Sequence, residues 1–150
     1  WAPERFAQVA DAMVARGYKP VFFGGTMDEE FVNEAVAHMK STPIIATGAF
    51  TIGSLAVALQ RCDLLITNDS GPMHVAISQH VPVVALYGSS LVKLYGPYTD
   101  DAIVVTAVPP CMGCASGMKH KCDDMQCMTR LTVEQVVEAA DKMLALHTVR

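Results

Sequence analysis

The sequence predicts an α/β fold, a Rossmann-like parallel sheet with helices on both faces. Segments with apolar residues at helical spacing alternate along the chain with short, continuously apolar runs. Those runs do not alternate polar with apolar, so they read as strands covered on both sides, the habit of parallel sheets. Turns rich in glycine and polar residues follow three of the strands, at 24–30, 46–51 and 68–74. Ligands of such sheets sit outside the carboxyl ends of the strands.

The elements follow in order. Trp1 to Arg16 reads as an amphipathic helix, with Phe6, Val9, Ala10, Met13 and Val14 on one face and Gly17 as its C-terminal cap. Lys19 to Phe23 is a strand ended by Gly24 and Gly25. Thr26 and Glu29 form a T-x-x-E pattern that predicts a capping box, opening a helix that runs to about Lys40. Pro43 to Thr47 is the next strand, and Thr51 or Ser54 starts another helix. Strand Asp63 to Thr67, turn Asn68 to Pro72, helix Met73 to about His80 and strand Pro82 to Tyr87 form the central unit, closed by Gly88. A loop over 89–101 leads to a strand at Ile103 to Thr106. The stretch 109–128 is the least regular. Thr132 and Gln135 make a second capping box, with Leu131 and Val136 as a hydrophobic staple, and start the closing helix.

The central unit brings a helix N-terminus to the end of a parallel strand. Unpaired N–H groups and the positive end of the helix dipole meet there, so an anion is favoured. Ser70 or Asn68 can cap the helix, Pro72 suits its first turn, and Gly71 lets a ligand approach the backbone. Geometry alone leaves two readings open, a phosphate or diphosphate cradle and an ordinary capped crossover turn.

The totals bound the classes. At 150 residues the chain is one domain by size; 51% hydrophobic and 17% charged residues make it globular rather than disordered. A net charge of −4 with no basic stripe argues against nucleic acid as the main partner. The apolar runs are far short of a membrane span, and no signal-peptide pattern is present in a chain that begins at Trp1 without a Met. No G-x-G-x-x-G follows a strand, and the 68–72 turn lacks the G-x-S-x-G elbow. Dinucleotide oxidoreduction and serine hydrolysis are therefore disfavoured.

Cys111, Cys114, Cys122 and Cys127 follow a C-x2-C-x7-C-x4-C spacing, with His120 nearby. Four thiols so placed could close a structural zinc site, and an iron–sulfur cluster is chemically allowed. The paired second knuckle of zinc ribbons is missing, so reduced thiols, a disulfide and redox chemistry stay open beside the metal. Cys62 reads as a small buried hydrophobe.

The string Thr67-Asn-Asp-Ser-Gly-Pro-Met-His74, followed by Val81-Pro-Val-Val-Ala-Leu-Tyr-Gly88, resembles the ADP-heptose:lipopolysaccharide heptosyltransferase family, glycosyltransferase family nine. Trp1 to Ala7, Phe22 to Gly25 with Asp28 to Glu30, Thr51 to Asp63, and Cys127-Met128 with Leu131 to Met143 extend the likeness over nearly the whole chain. The resemblance implies the C-terminal, donor-binding half of a two-domain GT-B enzyme, with the N-terminal acceptor domain and its catalytic base outside this chain. It implies inverting transfer of a heptose or related sugar from an ADP-activated donor to the lipopolysaccharide core, with no cofactor required. Ser70, Gly71, Pro72 and Met73 would surround the diphosphate, mostly through backbone groups. Asp69 would hold sugar hydroxyls, and His74 would reach the sugar or a phosphate. One of Asp28, Glu29 and Glu30 would take the ribose, and Phe50 would lie against the base. The implied location is cytoplasmic, with peripheral placement at the inner membrane left open. Two rival readings are a cysteine-loop metal or redox module and a nucleotide-binding domain without transfer activity.

Overall fold

The computed structural model describes residues 1–107 and 125–147. Its strands are all parallel and connected through helices, the Rossmann-like α/β arrangement expected. The chain divides into two compact units, Trp1–Leu55 and Ala56–Arg150.

The first unit holds α1 (Pro3–Val14), β1 (Val21–Gly24), α2 (Glu29–Ala37) and β2 (Ile44–Thr47). β1 and β2 pair in parallel, with Gly24 opposite Thr47. Ala7, Val9, Ala10 and Met13 of α1 are buried, as are Val32 and Ala35 of α2. Gly17 takes φ +91° just past α1, the left-handed conformation for which glycine has no side-chain penalty. Phe6 lies edge-on between Trp1 and Phe31, at 5.2 and 6.0 Å.

Two expectations in this unit are corrected. The Thr26–Glu29 capping box does not form. Thr26–Asp28 is a short 3-10 turn, and the Asp28 carboxylate accepts the Gly25 N–H at 2.8 Å, so α2 proper begins at Glu29. α2 also stops at Ala37 rather than Lys40. The Asp11 carboxylate of α1 takes the Lys40 and Ser41 N–H groups at 2.8 and 3.0 Å and the Ser41 hydroxyl at 2.6 Å. Against the upward pull of burial, these bonds hold the Asp11 carboxyl below its ordinary value.

α3 (Ile52–Leu59) starts where Thr51 and Ser54 exchange hydrogen bonds, the Thr51 N–H reaching Ser54 Oγ at 2.9 Å. Its Leu59 is buried, whereas Val57 is exposed.

The second unit holds β3 (Leu65–Asn68), α4 (Gly71–Ser78), β4 (Val83–Tyr87), α5 (Val92–Tyr95), β5 (Ala102–Thr106), α6 (Gln126–Thr129) and α7 (Val133–His147). The strand order is β3-β4-β5. Every residue of β4 is buried. Successive side chains of a strand point to opposite faces, so β4 is covered on both. α4 packs on β3 and β4, and α7 on β4 and β5. The capping box at α7 forms as expected: the Thr132 N–H donates to Gln135 Oε1 at 2.9 Å and the Gln135 N–H to Thr132 Oγ1 at 3.3 Å. Leu131 and Val136, the predicted staple, are both fully buried. The helix α5 lies within the stretch expected to be loop. No helix among the described residues is long and apolar enough to cross a membrane.

Candidate functional site

The predicted residues fall into two groups, one in each unit. In the second unit the turn after β3 carries Asp69, Ser70, Gly71, Pro72, Met73 and His74 at the start of α4. Asp69 stays tied to the sheet, its N–H donating to the Leu86 carbonyl at 3.1 Å. Gly71 and Pro72 are the first two helical residues. A methyl group added to Gly71 would meet nothing within 4 Å, so the space above this backbone is open. His74, one turn into the helix, is exposed. The Met73 side chain instead enters the core, fully buried, with its Sδ 3.6 Å from the Tyr87 hydroxyl. Only the Met73 backbone is left for a ligand, and its N–H pairs with the Ser70 carbonyl at 3.2 Å.

The expected cap is corrected. Ser70 occupies the N-cap position, but no side chain caps α4. The Ser70 hydroxyl lies 3.2 Å from Thr67 Oγ1 instead. Asn68 does not cap the helix either; its Oδ1 is buried without a hydrogen-bond partner.

Beneath the turn lies a residue that sequence reasoning passed over. Tyr87, the last residue of β4, is fully buried and donates its hydroxyl to the Tyr95 carbonyl at 2.6 Å. Burial pushes its phenol up to about 12, with the charge and hydrogen bonding of Asp69 and the nearby Tyr98 adding to the effect. In sequence it reads only as the end of an apolar strand. The signal that would have found it is its polar tip, which needs a partner once the ring is buried.

In the first unit, Glu29 and Glu30 are exposed in the first turn of α2. Gly48, at φ +69° just past β2, would carry a methyl 3.7 Å from Glu29 Oε1, so the turns after β1 and β2 meet there. Asp28, exposed like Glu29 and Glu30, already accepts the Gly25 N–H. Phe50 is 41% exposed and tilts against Phe23 with ring centroids 5.8 Å apart. It is thus an aromatic supported by Phe23 and partly open to solvent.

Of the four cysteines that could hold metal, Cys111, Cys114 and Cys122 lie outside the described residues. Cys127 is buried in α6. A methyl on Gly88 would stand 2.5 Å from Met128 Sδ and 3.5 Å from Cys127 Sγ, so α6 sits against the end of β4. Cys62 is half-buried, its thiol pushed up by burial and by Asp63.

An α/β chain with parallel strands, whose central strand-turn-helix leaves a helix N-terminus uncapped by side chains, belongs to the Rossmann-like class that receives anionic ligands at such turns. The particular family is shown by comparison: residues 1–125 match the model of glycosyltransferase family 9 (heptosyltransferase), and the chain belongs to that family. Among curated relatives, it is 31% identical over 112 residues to lipopolysaccharide heptosyltransferase 2 of Salmonella typhimurium, covering 72% of this chain and 32% of the relative. It is 31% identical over 152 residues to lipooligosaccharide heptosyltransferase 2 of Campylobacter jejuni, covering 96% of this chain and 46% of the relative. Among solved structures, a glycosyl transferase family 9 protein from Veillonella parvula matches with TM-score 0.82 and 48% identity, over 97% of this chain and 42% of that one. The E. coli ADP-heptose lps heptosyltransferase II matches with TM-score 0.85 and 26% identity, over 99% of this chain and 43% of that one. The chain therefore spans from about a third to just under half of the length of these relatives.

Proposed function

We propose that this chain is the donor-binding half of an inverting glycosyltransferase, taking an ADP-activated heptose for transfer to a lipopolysaccharide core acceptor. Family membership supports the reaction class, and the names of the relatives support the donor and acceptor. The observation that carries the reading is the start of α4, where no side chain caps the helix and open space lies above Gly71. Backbone N–H groups there would bind the diphosphate, with Asp69 and His74 beside it for the sugar. Glu29 or Glu30 would accept from the ribose hydroxyls, and Phe50 would lie against the base. The acceptor and the catalytic base would belong to an N-terminal domain outside this chain, so the chain alone would bind donor without transferring sugar. No cofactor enters this scheme.

The proposed chemistry asks little of side chains on the donor half. An acceptor hydroxyl, deprotonated by the base, attacks the anomeric carbon, and the bond to the diphosphate breaks with its electron pair leaving on phosphate oxygen. Charge grows there in the transition state. N–H groups already aimed at it stabilise that state more than the ground state.

Calorimetric titration with ADP, ADP-heptose, UDP and GDP tests the reading. Binding of the two adenine ligands alone is the expected result. Gly71→Ala sharpens it: the added methyl meets no protein atom and should leave stability unchanged or slightly higher, yet it enters the ligand's space and should weaken ADP binding by about tenfold or more. Equal ADP affinity in the Gly71→Ala variant would remove the α4 turn from the site. Zinc quantified on the same sample tests the four-cysteine site separately.

A further inference from the structure

A serine at an N-cap ordinarily gives its oxygen to an N–H of the first helical turn. Ser70 has the extended backbone of an N-cap, with φ −159° and ψ 169°, and does not do so. Its hydroxyl is held 3.2 Å from Thr67 Oγ1, and the Thr67 hydroxyl donates to the Asn68 carbonyl at 3.1 Å. A hydroxyl has one proton. With the Thr67 proton on the Asn68 carbonyl, the Ser70 hydroxyl can donate to Thr67 Oγ1. The Ser70 side chain is thereby turned back onto the end of β3. The usual targets of an N-cap oxygen are the second and third N–H groups of the helix. Pro72 is the second and has none, and the third, Met73, is met only by the Ser70 carbonyl at 3.2 Å.

We propose that Thr67 is a positioning residue of the donor site: its hydroxyl draws the Ser70 side chain off the α4 N-terminus, so that the serine oxygen does not compete with a nucleoside diphosphate for the Met73 N–H. This rests on the donor-site reading above and adds to it a residue that need not touch the ligand. Without the Thr67 hydroxyl, Ser70 is free to cap Met73, and a bound phosphate must then displace the serine oxygen as well as the Ser70 carbonyl.

The test uses the 150-residue chain with Thr67→Val and Thr67→Ser, each also made in a Ser70→Ala background. ADP affinity is measured by calorimetry, and Tm is measured without ligand. Thr67→Val should weaken ADP about fivefold, the worth of one cap hydrogen bond, while Tm stays equal or rises. Thr67→Ser should restore the affinity. In the Ser70→Ala background Thr67→Val should have no further effect, because the group it acts through is gone. A Thr67→Val chain that binds ADP as the unsubstituted chain does overturns the inference. So does one that loses affinity and Tm together, equally in both backgrounds, since that is what a merely structural threonine would give. Failure of the unsubstituted chain to bind ADP at all is a different outcome: it removes the donor-site reading, and this inference with it.

Discussion

Two helices of the second unit, α4 and α7, begin after a hydroxyl residue, and the hydroxyl closes only one of them. At α7, Thr132 and Gln135 bond each other's backbone N–H groups, and Leu131 and Val136 are buried alongside. At α4, Ser70 stands in the same position but its hydroxyl goes to Thr67. Asp69 precedes this helix end, and exposed His74 lies one turn into α4. Local residue preference is the same in the two places, so the difference lies in the competitors. Each has a threonine three residues back, but Thr129 turns its hydroxyl to the Met125 carbonyl at 3.4 Å, whereas the Thr67 hydroxyl lies 3.2 Å from that of Ser70. A helix end that serves only the fold can be closed by its own side chains. One left open keeps donors for something outside the fold.

The comparison can be broken by substitution. The largest effect is expected at the closed end: Leu131→Ala empties a fully buried position and should cost about 3 kcal/mol in denaturant unfolding. Next, Thr132→Ala should cost about 1 kcal/mol, whereas Ser70→Ala should cost no more than about 0.5 kcal/mol because no cap is lost. Equal losses at the two positions would mean that Ser70 closes α4 in solution, and the distinction would fall. The smallest effect belongs to the other end of α4. His80 stands at φ +57° just past the helix, where the Val81 N–H returns to the Ala76 carbonyl at 3.0 Å. His80→Gly should raise stability by about 0.5 kcal/mol by removing the side chain's penalty in that conformation. A loss instead would show that the histidine side chain contributes contacts worth more than that penalty.

Much of this was legible in the sequence where the cause is local. The five strands among the described residues, the parallel class and the staple at Leu131 and Val136 follow from apolar patterning and spacing. Patterns that depend on a competition were less secure. T-x-x-Q at Thr132 makes its box, but T-x-x-E at Thr26 does not, because Asp28 reaches the Gly25 N–H first. The end of α2 could not be read at all from α2 itself, since the groups that stop it are bonded by Asp11, about thirty residues earlier and on another helix. The candidate site divides the same way. Its backbone part, Ser70 and Gly71 at a strand end, was visible as a motif. Its supports, Thr67 and Tyr87, were not, because their roles are set by where a single proton goes after the chain has folded.

The hydrogen bond from Tyr87 to the Tyr95 carbonyl has a consequence in time rather than in shape. Segments that connect strands near a ligand site commonly open often and briefly, since little is lost when they leave. The connection after β4 is fastened from below. Releasing α5 would take from a fully buried phenol its acceptor at 2.6 Å, at a cost of about 1–3 kcal/mol. Its open population is therefore lower by about one to two powers of ten than that of an untied loop of equal length. The floor beside Asp69 thus keeps the slow clock of the core, although Leu94, Tyr95 and Tyr98 on the same connection are exposed to solvent.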